Sequence, residues 1–201
     1  PHIVIHNGID TDIFSPASNT QEIRHKLGIQ QNEMMILGVA NIWNERKGLE
    51  DFIELSKHIS KNTKIVLVGL TKKQSRELPP NIVGIHRTES IKQLAEYYSA
   101  ADLFLNLTYE DNYPTTNLEA ISCGTPCLTY HTGGSAESIT QQVGYVVKQG
   151  DLSSVLKCIS TITPQNKTHI SIQCRKHALN SFQRNDRFHD YINLYKTILC
   201  L

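Results

Sequence analysis

The 201-residue sequence lacks the cysteine patterns of disulfide-rich and zinc-binding proteins. Its five cysteines are odd in number, and no two of them follow the C-x-x-C spacing of zinc ligands and redox-active thiols. Neither a disulfide framework nor a structural zinc site is therefore expected, and reduced thiols predict a cytoplasmic protein. The cysteines are Cys123, Cys127, Cys158, Cys174 and Cys200.

Long hydrophobic runs are also missing. The longest apolar stretches, such as residues 65–68 and 103–105, have the length of strands and fall far short of the roughly 20 residues that a membrane-spanning helix needs. The start of the chain shows no charged region followed by an apolar run, so no signal peptide is predicted, and it is typical of a cut inside a longer protein. We expect no membrane contact by this domain, with the full-length protein at most peripheral to the inner face of the membrane.

Strong charge and the common nucleotide motifs are absent as well. The formal net charge is +1 and there is no lysine-rich run, so nucleic acid is not expected as a partner. The sequence contains neither G-x-G-x-x-G nor the phosphate-loop lysine motif, which gives no support to a dinucleotide-binding or ATP-cleaving protein. H-E-x-x-H is missing too, and none of the nine histidines is predicted to be catalytic.

One acidic triplet, Asp10-Thr11-Asp12, has the composition of some divalent-metal sites. It follows Asn7-Gly8, however, and Asp and Asn are common in turns because their side chains bond to nearby backbone groups. A metal site needs more oxygen ligands than this triplet offers. We therefore predict a structural turn here and no metal site.

Apolar strand-length runs alternate with segments of helical period, which is typical of a parallel sheet covered by helices on both faces. The chain length and the 39% hydrophobic content fit one domain, residues 1–201, with an α/β Rossmann-like fold. Predicted strands are 3–5, 35–39, 64–68, 82–85, 103–107, 127–129 and 145–147. Predicted helices are 49–60, 91–99, 115–122, 152–161, 170–181 and 186–199.

The segment around Pro114 carries the most chemistry. Proline suits the start of a helix, and the Cys123-Gly124-Thr125-Pro126 sequence supplies a terminator, so a helix is predicted between them. Asp111 then lies in the preceding loop and Glu119 on the second turn. The free N–H groups of the first turn suit a phosphate oxygen or a sugar hydroxyl. Carboxylates would repel a phosphate, so we assign the two acids to vicinal hydroxyls.

Two further segments follow predicted strands and so should lie at the same edge of the sheet. Arg46 and Lys47 precede a helix, where cations are unfavourable unless an anion is bound, and they suit a diphosphate. Gly133 and Gly134 open a short helix in which Ser135 is the predicted N-terminal cap. This glycine pair is interpreted as part of the pocket wall, although it could equally serve a tight turn.

Taken in chain order, these segments resemble the C-terminal, donor-binding half of retaining GT-B glycosyltransferases. The resemblance is to the large family 4, the glycosyl transferases group 1, which builds capsular, O-antigen and exopolysaccharides, and it covers nearly the whole chain. Family members usually carry Glu-x(7)-Glu, where this sequence has Asp111 and Glu119 with Glu110 one step earlier. Asn41 stands where the family often has an arginine. The segments that carry the resemblance are residues 4–16, 46–48, 99–102, 118–126 and 133–137.

The resemblance implies a nucleotide-diphosphate sugar donor, metal-independent transfer with retention, and an acceptor, either a glycan or a lipid-linked molecule, bound mostly by an N-terminal half. It implies that Arg46 and Lys47 neutralise the diphosphate, that Asp111 orients the sugar and that Glu119 binds the ribose. A GT-B sugar-nucleotide epimerase and a non-catalytic nucleotide-binding or assembly module remain alternatives. The loop of His86 and Arg87 is a candidate edge for binding the base, although a plain surface turn explains it equally well. The other implied substrate-binding residues are Glu110, Asn112, Thr115, Thr116, Gly133 and Gly134.

Overall fold

The computed structural model describes residues 3–199, apart from the side chains of residues 164 and 165. Six strands form one sheet in the order β3-β2-β1-β4-β5-β6, and every neighbouring pair is parallel. This confirms the Rossmann-like parallel sheet. The strands are β1 (Met34–Val39), β2 (Thr63–Val68), β3 (Ile82–Ile85), β4 (Leu103–Asn106), β5 (Cys127–Tyr130) and β6 (Gly144–Val147).

Eight α-helices connect and flank the strands. Two short 3-10 helices, Glu45–Lys47 and Ser135–Ser138, lie in the loops that follow β1 and β5. The α-helices are α1 (Thr20–Lys26), α2 (Leu49–Ser56), α3 (Lys72–Arg76), α4 (Ile91–Ala100), α5 (Thr115–Ser122), α6 (Leu152–Thr161), α7 (Pro164–Ser181) and α8 (Arg184–Leu199).

Helices cover both faces of the sheet because successive strand residues alternate between two hydrophobic clusters. Met35 and Leu37 of β1 join the first cluster, to which α1, α4, α5 and α7 contribute, whereas Ile36 joins the second, to which α2 and α6 contribute. Phe52 of α2 and Tyr98 of α4 are among the largest side chains that are fully buried. The predicted two-sided architecture is confirmed.

The predicted strand over residues 3–5 is wrong. Ile3 and Val4 are 67% and 72% exposed and make no ladder with the sheet. The chain first pairs at Ile9, in a bridge with Gln183 just before α8. A short β-branched run favours extended backbone, but a strand forms only where a neighbouring strand satisfies its N–H and C=O groups.

The predicted helices differ from the observed ones in two ways: two short helices are missing from the prediction, and two helix ends are misplaced by several residues. The helices α1 and α3 were missed because they are only seven and five residues long. The helix α2 ends at Ser56 rather than at residue 60, and α7 begins at Pro164, six residues before the predicted start. Thr163 caps α7 and Pro164 occupies its first turn, where its missing N–H is no cost.

No helix among residues 3–199 is long and apolar enough to cross a bilayer. Cys123, Cys127, Cys158 and Cys174 are free thiols, and Cys200 lies outside the described residues.

The strand order places a crevice at the carboxyl edge of the sheet. β1 and β4 are neighbours in the sheet, but the chain leaves β1 towards β2 and leaves β4 towards β5. Loops that leave adjacent parallel strands in opposite directions separate, and ligands of such sheets bind in the gap between them. The loops that follow β1 and β4 carry Lys47 and Asp111.

The opposite edge of the sheet holds a partly buried charge cluster around Asp102, which precedes β4. Its carboxylate accepts hydrogen bonds from the Met35 N–H at 2.7 Å and from the Arg24 guanidinium at 3.0 Å, and it also pairs with Lys167. Burial opposes ionisation, but Lys167 and Arg24 outweigh it and lower the pKa of Asp102. Since Arg24 belongs to α1 and Lys167 to α7, the cluster ties two helices to the sheet.

We expect Asp102→Asn to lower the free energy of unfolding by about 3 kcal/mol, because it leaves the buried Arg24 and the partly exposed Lys167 without their anionic partner. The pKa of Asp102 is lowered in the folded state, so this stabilisation is present above the ordinary aspartate pKa and is lost as pH falls through the lowered value. Urea denaturation at neutral and acidic pH measures both effects. Glu22→Gln, which breaks an exposed pair with Lys26, is the matched control and should change little. Equal losses in the two variants would contradict a special role for Asp102.

Candidate functional site

The loop after β1 is held against the end of β4. Asn44 caps the 3-10 helix by accepting a hydrogen bond from the Lys47 N–H at 3.1 Å, and Gly48 ends that helix with φ 70°. A Cβ atom at Gly48 would lie 2.1 Å from the carbonyl oxygen of Leu107. Only glycine permits this approach, which brings the side chain of Lys47 to the loop that carries Asp111.

Lys47 and Asp111 form an ion pair across the crevice. The Nζ–Oδ2 distance is 2.6 Å, and the two side chains are 22% and 17% exposed. The pair therefore lies partly shielded from water, where a charged hydrogen bond is stronger than at an exposed position. The sequence prediction that a cation and an acid from separate loops converge at this edge is confirmed.

The glycine pair packs against the same acidic loop. A Cβ atom would lie 2.1 Å from the Asp111 carbonyl oxygen at Gly133, where φ is 45°, and 1.7 Å from the Asn112 carbonyl oxygen at Gly134. The Gly134 N–H donates to the Asp111 carbonyl oxygen at 3.2 Å. The observed role of Gly133 and Gly134 is thus to hold the loop, and their contact with substrate stays a prediction.

The helix α5 begins and ends as predicted from Pro114 and Gly124. Pro114 immediately precedes Thr115, and Gly124, with φ 81°, follows the last turn. Within residues 3–199 no protein group accepts a hydrogen bond from the N–H of Thr115 or Thr116. These donors, together with the positive end of the helix, form a suitable position for an anionic or hydroxyl oxygen.

Glu119 lies on the second turn of α5, and its carboxylate accepts a hydrogen bond from Tyr98 of α4. The Tyr98 hydroxyl donates to Glu119 Oε2 at 2.9 Å, and Tyr98 is fully buried. Burial raises the pKa of Glu119, while hydrogen bonds from Tyr98 and Thr115 partly offset that rise. One carboxylate oxygen is thus fixed by Tyr98, and Glu119 lines the neighbouring cleft.

A cleft of about 550 Å³ lies beside Glu119, between α5 and the carboxyl ends of β1, β2 and β3. Four predicted residues line it, namely His86 and Arg87 of the loop after β3, Thr116 of the first turn of α5, and Glu119. The Leu70 carbonyl oxygen lies 2.7 Å from His86 Nδ1, which must carry the hydrogen because a carbonyl only accepts. In the neutral ring Nε2 is then an acceptor.

Most of the predicted residues do not line this cleft, so the expected single pocket around Lys47, Asp111 and Glu119 is not formed by it alone. Those outside its lining are Arg46, Lys47, Glu110, Asp111, Asn112, Thr115, Gly133 and Gly134. The Arg46 guanidinium donates to the Glu110 carbonyl oxygen at 3.2 Å, and both residues line a neighbouring cavity that also contains Asp51 and Tyr109. The side chain of Asn112 is exposed. Adjacent residues Arg46 and Lys47 therefore face different sides of the loop, and the role of Arg46 at a diphosphate stays a prediction.

The acidic triplet forms the predicted turn. Asp10 Oδ1 accepts hydrogen bonds from the N–H groups of Asp12 and Ile13, both at 3.1 Å, and Asp10 Oδ2 pairs with Arg184 at 3.0 Å. Its carboxylate therefore connects the N-terminal segment to α8. Ser135 is not the cap of its 3-10 helix, as predicted, but the first helical residue, and its hydroxyl is buried.

Several residues near the site were missed from the sequence. Tyr98 and Asn117 contact the site through buried hydrogen bonds, and nothing in their sequence surroundings distinguishes them from ordinary helix residues. His6 stacks on Tyr113 with ring centroids 4.3 Å apart and bonds to Glu137 at 2.7 Å. His6 lies in a segment that carries the family resemblance, but it is 131 residues from Glu137 in sequence, so the sequence does not predict their contact.

Comparison with known proteins identifies the family. The sequence profile of the glycosyl transferases group 1 matches residues 19–170. The chain belongs to this family. Among curated relatives, it is 26% identical over 214 residues to the UDP-Gal:alpha-D-GlcNAc-diphosphoundecaprenol alpha-1,3-galactosyltransferase of Escherichia coli. That match covers 95% of this chain and 54% of the galactosyltransferase, so the chain spans about half the length of that relative.

Several solved structures have the same fold as this chain. The Anabaena protein HepE in complex with UDP superposes with a TM-score of 0.85 and 20% identity, over 97% of this chain and 57% of HepE. The C-terminal domain of a Francisella tularensis glycosyl transferase group 1 family protein superposes with a TM-score of 0.72 and 18% identity, over 88% of this chain and 99% of that domain. This chain therefore has the fold of the C-terminal half of a GT-B glycosyltransferase.

We expect Tyr98→Phe to raise the pKa of Glu119 further, because the phenol hydroxyl that stabilises the carboxylate is lost while the burial remains. Carbon-detected NMR titration of the Glu119 carboxyl measures the change. Tyr97→Phe is the matched control. Burial and nearby acids raise the pKa of Tyr97, but Glu119 is not among the groups that affect it. A Glu119 titration that is the same in both variants would contradict the assigned contact.

Proposed function

We propose that this chain is the donor-binding domain of a retaining glycosyltransferase, acting in polysaccharide biosynthesis such as that of a capsule. It binds a nucleotide-diphosphate sugar, and a glycan or lipid-linked acceptor is held by an N-terminal half. The observation that carries the proposal is the Lys47–Asp111 pair, which lies where β1 and β4 diverge; Lys47 belongs to the loop that leads to α2, and Asp111 to the loop that leads to α5 and Glu119. The chain's resemblance to family 4 and the relatives that use or bind UDP compounds support it.

The diphosphate is assigned to Lys47 and to the start of α5. Lys47 has three donor hydrogens, of which Asp111 needs one, so the ammonium group can bind a phosphate oxygen as well. The free N–H groups of Thr115 and Thr116 supply further donors of fixed direction. As the glycosidic bond breaks, negative charge develops on the leaving diphosphate, and these groups stabilise it.

The sugar is assigned to Asp111. Its carboxylate is oriented by Lys47, and its backbone is fixed by the contacts of Gly133 and Gly134. A carboxylate held in this way accepts two hydrogen bonds from vicinal hydroxyls and so orients the anomeric carbon towards the acceptor. Glu110 and Asn112 flank Asp111 and are exposed, where they can contact the sugar or the acceptor.

The nucleoside is assigned to the 550 Å³ cleft. Glu119 offers a carboxylate oxygen to the ribose hydroxyls, while its other oxygen is bound by Tyr98. The base lies against the loop of His86 and Arg87, which follows β3. His86 then presents Nε2 as an acceptor and Arg87 presents donors, a combination that can bind the polar edge of a base.

We expect no metal cofactor, because protein groups supply the positive charge that a diphosphate requires. Lys47 and the N–H groups of α5 provide it at the assigned position, and Arg87 adds a cation within the cleft. The two acids nearest the diphosphate are assigned to hydroxyls rather than to a cation. We expect a cytoplasmic protein, peripheral at most to the inner face of the membrane.

Calorimetry with UDP, GDP and ADP tests the proposal directly. We expect at least one of them to bind, and Lys47→Ala to weaken that binding by about 1.5–3 kcal/mol, or about 10- to 150-fold, because a charged hydrogen bond to phosphate is lost. Lys57→Ala removes an exposed lysine that pairs with Glu54 and serves as the control. A chain that binds none of the three nucleotides would be a non-catalytic scaffold.

Glu119→Gln should weaken binding of the same nucleotide, because the side chain loses its negative charge and one of its two acceptor oxygens becomes an NH2 donor, which cannot accept from a ribose hydroxyl. We expect this loss to vanish with the 2′,3′-dideoxy nucleotide, which offers neither hydroxyl. The paired affinities, again by calorimetry, give the contribution of the ribose alone, and Glu89→Gln controls for loss of an acid near the cleft. If the two ligands show the same loss, Glu119 does not read the ribose.

A further inference from the structure

A buried network of polar side chains surrounds Asn117 in the first turn of α5. Asn117 Oδ1 accepts from Asn106 Nδ2 of β4 at 2.8 Å, and Asn117 Nδ2 donates to the Ser135 carbonyl oxygen at 3.0 Å. Thr129 of β5 bonds to the Ser135 hydroxyl at 2.6 Å. Asn117, Ser135 and Thr129 are fully buried, so the network connects two strands, α5 and the 3-10 helix after the glycine pair.

The position of Asn117 is one that an apolar residue could fill. Its helix neighbours Leu118, Ala120 and Ile121 are all fully buried apolar residues, and a leucine would bury more apolar area. A buried amide is tolerated only when its donors and acceptor are bonded, and its partners then fix one relative arrangement of the elements. An apolar residue at this position would bury as much surface, so the polar network is not needed to form the core. What it adds is a fixed arrangement of the elements that it connects.

The geometry that it specifies includes the sugar end of the site. Ser135 directly follows Gly134, whose N–H donates to the Asp111 carbonyl oxygen at 3.2 Å. Asp111 in turn forms the 2.6 Å ion pair with Lys47. A continuous series of contacts thus runs from the Asn117 amide through the glycine pair to the Lys47–Asp111 pair. The residues that line the nucleoside cleft, such as Glu119 and His86, make no bond with this network.

We propose that Asn117 is a positioning residue for the sugar end of the donor. It holds the Gly133–Gly134 loop, and through it Asp111, at a fixed offset from the N-terminus of α5. This inference rests on the proposed function, because it gives Asp111 the sugar and α5 the diphosphate. The network therefore fixes the position of the part of the site around Asp111. It makes no hydrogen bond to Glu119 or His86 of the nucleoside cleft.

The deciding experiment compares Asn117→Leu with two variants of the same helix. Leu118→Ala destabilises the core beside the network without touching it, and Ser122→Ala removes a fully buried hydroxyl that has no partner in the described residues. Hydrogen exchange of the segment 132–138 is measured for each by mass spectrometry, in parallel with unfolding by urea. Asn117→Ala is a second variant, used if the leucine prevents folding.

We expect Asn117→Leu to accelerate exchange of the segment 132–138, which contains the Gly134 N–H, by about 10-fold or more relative to Leu118→Ala at equal stability, because the Gly133–Gly134 loop is no longer held against the Asp111 carbonyl oxygen. UDP affinity should stay within about threefold, since the nucleoside contacts do not pass through the network. Affinity for UDP-glucose or UDP-galactose, whichever the unaltered chain binds more tightly, should fall more than that for UDP.

Exchange that rises equally in Asn117→Leu and Leu118→Ala would overturn the inference, since the network would then add only general stability. An equal loss of affinity for UDP and the UDP-sugar in Asn117→Leu would overturn it too. Failure of the proposed function gives a different result, because the unaltered chain would then bind no nucleotide while the exchange difference in the segment 132–138 persisted. That difference is measured without ligand, so it decides the positioning role in either case.

Discussion

The ion pair between Lys47 and Asp111 depends on the one constraint that shapes this site, the divergence of the chain after β1 and β4. Parallel neighbours must be connected by long crossovers, and here the crossovers leave in opposite directions. The gap collects a cation from one loop and an acid from the other, at 2.6 Å. Three close backbone approaches, at Gly48, Gly133 and Gly134, then hold those loops so that the two side chains meet.

The proposed site consists of two parts, assigned above to the nucleoside and to the sugar, that differ in how they are built. The nucleoside part uses the ends of β1, β2 and β3 together with Glu119, and its acid is fixed by one buried tyrosine. The sugar part uses the loops after β4 and β5, and its acid is fixed by an ion pair and by glycine contacts. The helix α5 joins them, because its first turn offers free N–H groups and its second turn carries Glu119.

Features set by local chemistry were predictable from the sequence, and features set by tertiary packing were not. Pro114 and Gly124 bracket α5 because proline and glycine restrict backbone conformation in known ways, and the strands followed from β-branched runs. The run at Ile3 had the same composition but no strand beside it, so it stayed extended and exposed. Tyr98 could not be connected to Glu119 in advance, since the two residues lie on different helices and meet only when both pack on the sheet.

The separation of Arg46 from Lys47 bears on the charge balance of the site. In a 3-10 helix successive side chains are about 120° apart, so one tight turn cannot aim both residues at one ligand. Arg46 faces the cavity with Asp51 and Glu110, and Asn41 stands at the end of β1 where the family often has an arginine. Under the proposed assignment, a diphosphate at the start of α5 would meet Lys47 as its nearest assigned cation, and Asp111 already neutralises that charge in part. The N–H groups of Thr115 and Thr116 must then supply much of the remaining stabilisation, which makes the exact placement of α5 a condition of binding and not only of folding.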